Sequence, residues 1–126
     1  MASILIVEDS PDNMKLFRTL LTLKGHDVTG ILGGDDLFAT LGQRTPDLVL
    51  MDIQMPGKDG YTLVGEIRAS EHKGLRVIAL TANAMAGDME KALAAGFNGY
   101  ITKPIDIRRF PDQVAAELDR KPAPGA

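Results

Sequence analysis

Short apolar runs, each too brief to make a helix, alternate along the whole chain with stretches of helical periodicity. Leu48-Val49-Leu50-Met51 is the clearest. Turn signals precede it at Thr45-Pro46-Asp47, and it ends in Asp52 and a turn-rich loop, so it fits a strand covered on both faces. Ile4 to Val7, Val28 to Ile31 (a weaker run), Val77 to Leu80 and the short Gly99-Tyr100-Ile101-Thr102 read the same way. Between them, Ser10 caps a helix with Pro11 in its first position and Met14, Phe17, Leu20 and Leu21 on one face, stopped by Lys24-Gly25. Gly33-Gly34-Asp35-Asp36 opens a second helix carrying Leu37, Phe38 and Leu41. Tyr61, Leu63, Val64 and Ile67 mark a third, and Asp88 to Ala95, closed by Gly96, a fourth. The last carries Phe110, Val114 and Leu118. Its Pro111 must lie in the first turn, which predicts a start near Arg108. Five strand-helix pairs imply an α/β fold, a doubly wound five-stranded parallel sheet in the order 2-1-3-4-5, as in flavodoxin-like folds. Residues 1–119 are expected to form one domain and 120–126 a disordered tail.

Composition narrows the function. With 44% hydrophobic and 25% charged residues the chain has the make-up of an ordinary soluble domain. A net charge of -3 without a basic cluster argues against nucleic acid or an anionic membrane as the main partner. Cysteine is absent, which removes disulfides, thiolate metal sites and a cysteine nucleophile. The first residues lack the basic region of a signal peptide, and no stretch reaches transmembrane length, so a cytoplasmic location is expected.

In open α/β sheets ligands bind at the carboxyl ends of the strands. The predicted order brings Glu8-Asp9 and Asp52 together there, at the switch point between the first and third strands. Taken singly, each acid reads equally well as a solvated loop or helix-end carboxylate. Crowded together, they raise one another's pKa unless a cation sits among them. Oxygen donors at an open edge suit Mg²⁺, with the backbone carbonyl of Gln54 a candidate to complete the protein's share. The remaining strand ends bring Thr81 and Lys103, a hydroxyl and a cation directed at an anion. Such a site is equipped to bind a phosphoryl group, with Asp52 as the nucleophile. His26 and His72 lie at loop ends and are expected to face solvent.

Together, Glu8-Asp9, Asp52 within Met-Asp-Ile-Gln-Met-Pro-Gly-Lys-Asp-Gly, Thr81-Ala82, and Tyr100 ahead of Lys103-Pro104 resemble the response-regulator receiver domain, the CheY-like superfamily. The resemblance runs from Ser3 to about Asp119. It implies a phosphorylated signalling switch rather than an enzyme with a separate substrate, one that promotes its own phosphotransfer and autodephosphorylation. Asp52 accepts a phosphoryl group from a phosphohistidine, carried by a histidine kinase or a histidine phosphotransfer protein. Asp9 and Asp52 bind Mg²⁺ directly and Glu8 through water. Thr81 and Lys103 hold the phosphoryl oxygens, Thr81 and Tyr100 form the switch, and Lys103-Pro104 is cis. Gln54 and Asn83 border the hydrolytic water. Output is implied through protein contact at the fourth helix, fifth strand and fifth helix of a monomer. Asn13-Met14-Lys15-Leu16-Phe17 and Ala84-Met85-Ala86-Gly87-Asp88 are similar to single-domain receivers of the DivK type, and also to receivers of hybrid histidine kinases. Gly33-Gly34 and Pro111 depart from the usual pattern, away from the site.

Two other classes stay open on the sequence. A Mg²⁺-dependent aspartyl phosphatase of the haloacid dehalogenase type places a second aspartate two residues after the nucleophile, where this chain has Gln54. A receiver-like binding module that is never phosphorylated keeps the same residues without the chemistry.

Overall fold

The computed structural model describes residues 2–55, 57–82 and 86–119, the side chains of 86–88 excepted. Its elements alternate as the apolar runs require: β1 (Ser3–Val7), α1 (Pro11–Leu23), β2 (Asp27–Ile31), α2 (Leu37–Gln43), β3 (Leu48–Asp52), α3 (Gly60–Arg68), β4 (Val77–Thr81), α4 (Ala86–Ala95), β5 (Gly99–Thr102) and α5 (Phe110–Asp119). All strand pairs are parallel, in the order β2-β1-β3-β4-β5.

Strand period two divides the core into two layers. Leu5, Val7, Val49, Met51, Val77 and Ala79 face one side, where Leu37 and Leu41 of α2, Leu63, Val64 and Ile67 of α3 and Ala92 of α4 cover them. Ile4, Ile6, Leu48, Leu50, Ile78, Leu80 and Ile101 face the other, against Met14, Phe17 and Leu21 of α1 and Phe110 and Val114 of α5. The Phe17 and Phe110 rings, 5.3 Å apart, join those two helices. Two helices on one face and three on the other is what right-handed crossovers produce from this strand order.

The helix starts follow their caps. The Ser10 hydroxyl accepts from the Asn13 N–H at 3.4 Å, with Pro11 in the first turn as expected. Asp59 accepts from the Thr62 N–H at 2.9 Å and opens α3. Three boundaries differ from the sequence reading. A 3-10 turn over Gly34–Asp36 takes up the acidic stretch, so α2 begins only at Leu37. α4 begins at Ala86, two residues before Asp88. α5 begins at Phe110 rather than near Arg108, because Asp106 first caps a tight turn: its carboxylate accepts from the Arg108 N–H at 2.9 Å, and its carbonyl from the N–H groups of Arg109 and Phe110. Pro111 is the second residue of that helix, where its missing N–H is harmless. Phe38, expected on the buried face of α2, is 38% exposed. The tail 120–126 and Asn83 lie outside the described residues.

Candidate functional site

Strand register assembles the site. Val7 lies opposite Met51, so the next residues, Glu8 and Asp52, leave the sheet side by side. Thr81 pairs with Thr102, which brings Lys103 out one residue beyond it, and the Lys103 N–H donates to the Thr81 carbonyl at 2.7 Å. The Lys103-Pro104 bond is cis. Four of the expected residues therefore end four strands at one edge. Among the described residues the buried polar side chains are Glu8, Asp52, Thr81 and Glu117, so three of these four crowd that edge.

Lys103 is the hub. Its ammonium donates to both oxygens of Glu8, at 3.1 and 3.0 Å, and to Asp52 Oδ2 at 3.0 Å. Asp52 Oδ1 accepts from the Gln54 N–H at 3.0 Å. Asn13, on the first turn of α1, donates through its side-chain amide to Glu8 Oε1 at 3.1 Å. Burial pushes the Glu8 carboxyl above its ordinary range, and neighbouring Asp52 adds to this, while Lys103 and Asn13 pull it part of the way back. For Lys103 burial works downward, but hydrogen bonds and charge attraction from Asp52 and Glu8 outweigh it and leave its pKa raised. The like-charge strain expected from crowded acids is thus present, and the cation among them is a lysine.

Glu8, Asp9 and Asp52 each offer a carboxylate oxygen within 4.8 Å of the other two. Three hard oxygen donors that close, with Asp9 half-buried rather than sealed, fit a hydrated hard cation such as Mg²⁺. The Ile53 carbonyl is engaged by the Gly60 N–H at 2.9 Å, which leaves the carbonyl of Gln54 as the next one along the loop. Gly60 is needed here: a Cβ on it meets the Asp52 carbonyl oxygen and the Ile53 Cα, each at 2.8 Å.

Tyr100 pairs with Ala79 in register, half-buried on the same sheet face as Val77 and Ala79. Thr81, two residues on from Ala79, has the same strand parity. The two switch candidates therefore share a face on adjacent strands. The histidines are corrected: both are half-buried, His26 with Nδ1 3.4 Å from the Ala2 N–H, and His72 with 13% of its side chain exposed. Both are remote from the acidic edge. His26 precedes β2 and His72 lies in the turn before β4, at the amino ends of the strands. The part of Asn13 was missed, although an amide three residues after a cap, just past Glu8-Asp9, was a usable signal.

A doubly wound domain with three acids, a hydroxyl and a lysine at its carboxyl edge has the make-up of a phosphoryl-handling site, and comparison with known proteins makes the class specific. Residues 4–115 match the family model of the response regulator receiver domain. The chain is 40% identical over 128 residues to the sensor protein GacS of Pseudomonas syringae pv. syringae, spanning 96% of this chain but 14% of that protein. It is 38% identical to the polar-differentiation response regulator DivK of Brucella ovis, over 92% of this chain and 95% of that one. The receiver domain of the sensor histidine kinase PA1611 from Pseudomonas aeruginosa superposes with a TM-score of 0.84 at 35% identity, over 94% of this chain and 98% of that one; it holds a magnesium ion in its active-site cleft. The chain belongs to the response regulator receiver domain family, the phosphoacceptor switches of two-component signalling. That match counts against the aspartyl phosphatase of the haloacid dehalogenase type. No helix among the described residues is long and apolar enough to cross a membrane.

Proposed function

We propose that Asp52 is the phosphoacceptor, and that this chain takes a phosphoryl group from a phosphohistidine on a histidine kinase or a histidine phosphotransfer protein. One observation carries the assignment: a single ammonium bridges Glu8 and Asp52 at the carboxyl edge, a cation already in place for the charge the reaction will bring. A carboxylate oxygen of Asp52 attacks phosphorus as the bond to the leaving nitrogen breaks. The electron pair leaves on that nitrogen, which takes up a proton; the Asp52 carboxylate loses its own charge, and the phosphoryl oxygens bring two negative charges to the site. Lys103 follows that charge, and the Thr81 hydroxyl donates to a second oxygen.

Asp9 and Asp52 would hold Mg²⁺ directly, Glu8 through water and Gln54 through its carbonyl; the ion neutralises the equatorial oxygens when bound. Recruitment of Thr81 frees the space beside Ala79 into which the Tyr100 ring turns, a shift between pre-existing states. The α4, β5 and α5 face thereby changes for a downstream protein. Water attack on the acyl phosphate, beside Gln54, resets the switch. In this reading residues 1–119 are the working unit, monomeric and cytoplasmic. Intact-mass measurement after treatment with acetyl phosphate tests the assignment. One Mg²⁺-dependent phosphoryl group is expected on the natural chain and none on Asp52→Asn; equal uptake by both overturns it.

A further inference from the structure

A cleft of about 240 Å³ opens beside the acidic edge, with Gln54, Met55, Asp59, Tyr61, Thr81 and Lys91 among its walls. Gln54 and Thr81 flank Asp52, so the cleft they share with Tyr61 and Lys91 adjoins that carboxylate. Charge sets the difficulty of that passage. Glu8, Asp9 and Asp52 stand against one lysine whose ammonium is already shared between two of them. Asp59, whose side chain caps α3, adds a further carboxylate to the wall of the cleft. A dianionic donor therefore approaches a site that repels it, and a bound Mg²⁺ brings the charge of the three acids and Lys103 only to neutral.

Lys91 is the cation among the described residues lining this cleft. Its ammonium lies over the Tyr61 ring, 4.7 Å from the centroid. That ring is itself braced, edge-on at 6.2 Å and 74°, against the buried Phe97. A lysine on an exposed helix face ordinarily samples many rotamers. Here an aromatic ring anchored in the core holds the charge against the wall of the cleft.

We propose that Lys91, positioned by Tyr61, is the anion-capture residue for small phosphodonors: it draws an acyl phosphate dianion into the cleft beside Asp52. This rests on Asp52 being the phosphoacceptor. In the step that follows, a carboxylate oxygen of Asp52 bonds to phosphorus, the phosphorus–oxygen bond to the acyl group breaks, and acetate leaves with the electron pair. No proton or redox partner is needed. Lys91 touches neither bond and acts on encounter, so its effect belongs in the second-order rate and weakens with salt.

The test measures phosphorylation by acetyl phosphate at saturating Mg²⁺ for the natural chain, Lys91→Gln, Lys91→Arg and Tyr61→Leu, each at low and high ionic strength, with Asp52→Asn as the blank. Lys91→Gln is expected to lower the second-order rate about threefold to tenfold at low salt and much less at high salt. Lys91→Arg, which keeps the charge and stacks on the ring, retains the rate. Tyr61→Leu falls between the natural chain and Lys91→Gln, both in its rate at low salt and in its salt dependence. An unchanged rate in Lys91→Gln at low salt overturns the proposal, as does a loss that is equal at both salt concentrations. A natural chain that gains no more phosphoryl group than Asp52→Asn fails earlier, and overturns the phosphoacceptor reading together with this one.

Discussion

Glu8 is buried at a cost. It is fully buried, beside another carboxylate, and its partners are one amide and a shared ammonium. Because its pKa is raised in the folded protein, the native state keeps a proton that the unfolded chain has already lost above its ordinary value of 4.5. Stability must therefore fall as pH climbs from about there through the raised value, and the ionised carboxylate is a burden on the metal-free fold. Lys103 has the opposite sign. Its stabilisation is complete below the ordinary lysine value of 10.5 and disappears as pH rises through the raised one. Glu8→Gln keeps the acceptor for Asn13 and Lys103 while removing the charge. Denaturant titrations across pH are expected to show the metal-free variant more stable than the natural chain at neutral pH, without the decline above 4.5, and with weaker Mg²⁺ binding. A variant that declines in parallel with the natural chain would place the titration elsewhere. The acids and Lys103 were legible because strand ends bring them together whatever the side-chain angles. The Asn13 bond depends on how the first turn of α1 faces β1, and no spacing rule carries that.

The loop from β3 to α3 shows how an element sets the site's precision. Ile53 donates to the Leu80 carbonyl at 3.1 Å and accepts from Gly60 at 2.9 Å, which folds the loop back under Asp52. Gly60→Ala drives a methyl group into that backbone. The expected cost is about 1–3 kcal/mol, with slower phosphorylation, because the Asp52 carbonyl must shift. Urea unfolding and the acetyl phosphate rate measure both; a variant with natural stability would mean that the turn yields freely. The proposed switch belongs to β4 and β5. With tyrosine fluorinated and its two resonances assigned through Tyr61→Phe, phosphorylation is expected to move the Tyr100 signal in the natural chain and leave it in place in Thr81→Ala. A Tyr100 signal that moves equally in both would uncouple the pair. The strands were read from their apolar runs to within a residue because both faces are covered. The helix starts were less legible, since Asp106 and the Gly34–Asp36 turn compete with the capping pattern through local backbone bonds.

Taken whole, the fold carries the chemistry at one end and braces itself at the other. Arg68 donates to the carbonyls of Gly96, Lys73 and Leu75 and to the Asn98 side chain, tying together the loops before β4 and β5, while burial lowers its pKa. Arg76 reaches buried Glu117 of α5 at 3.6 Å near the same end. Neither pairing was foreseen, because each joins segments whose distance depends on the packed helices. The parallel sheet and its order were legible, since alternation and crossover handedness leave few alternatives. On the proposed function, Asp52 and no other acid becomes the acyl phosphate. Borohydride reduces an acyl phosphate to an alcohol with loss of phosphate, which turns a phosphorylated aspartate into homoserine and records its position. After treatment with acetyl phosphate and Mg²⁺, trapping and peptide mapping are expected to find homoserine at position 52 alone, and none when Mg²⁺ is withheld. Homoserine at position 9 or elsewhere, or none in folded protein that binds Mg²⁺, would contradict the account.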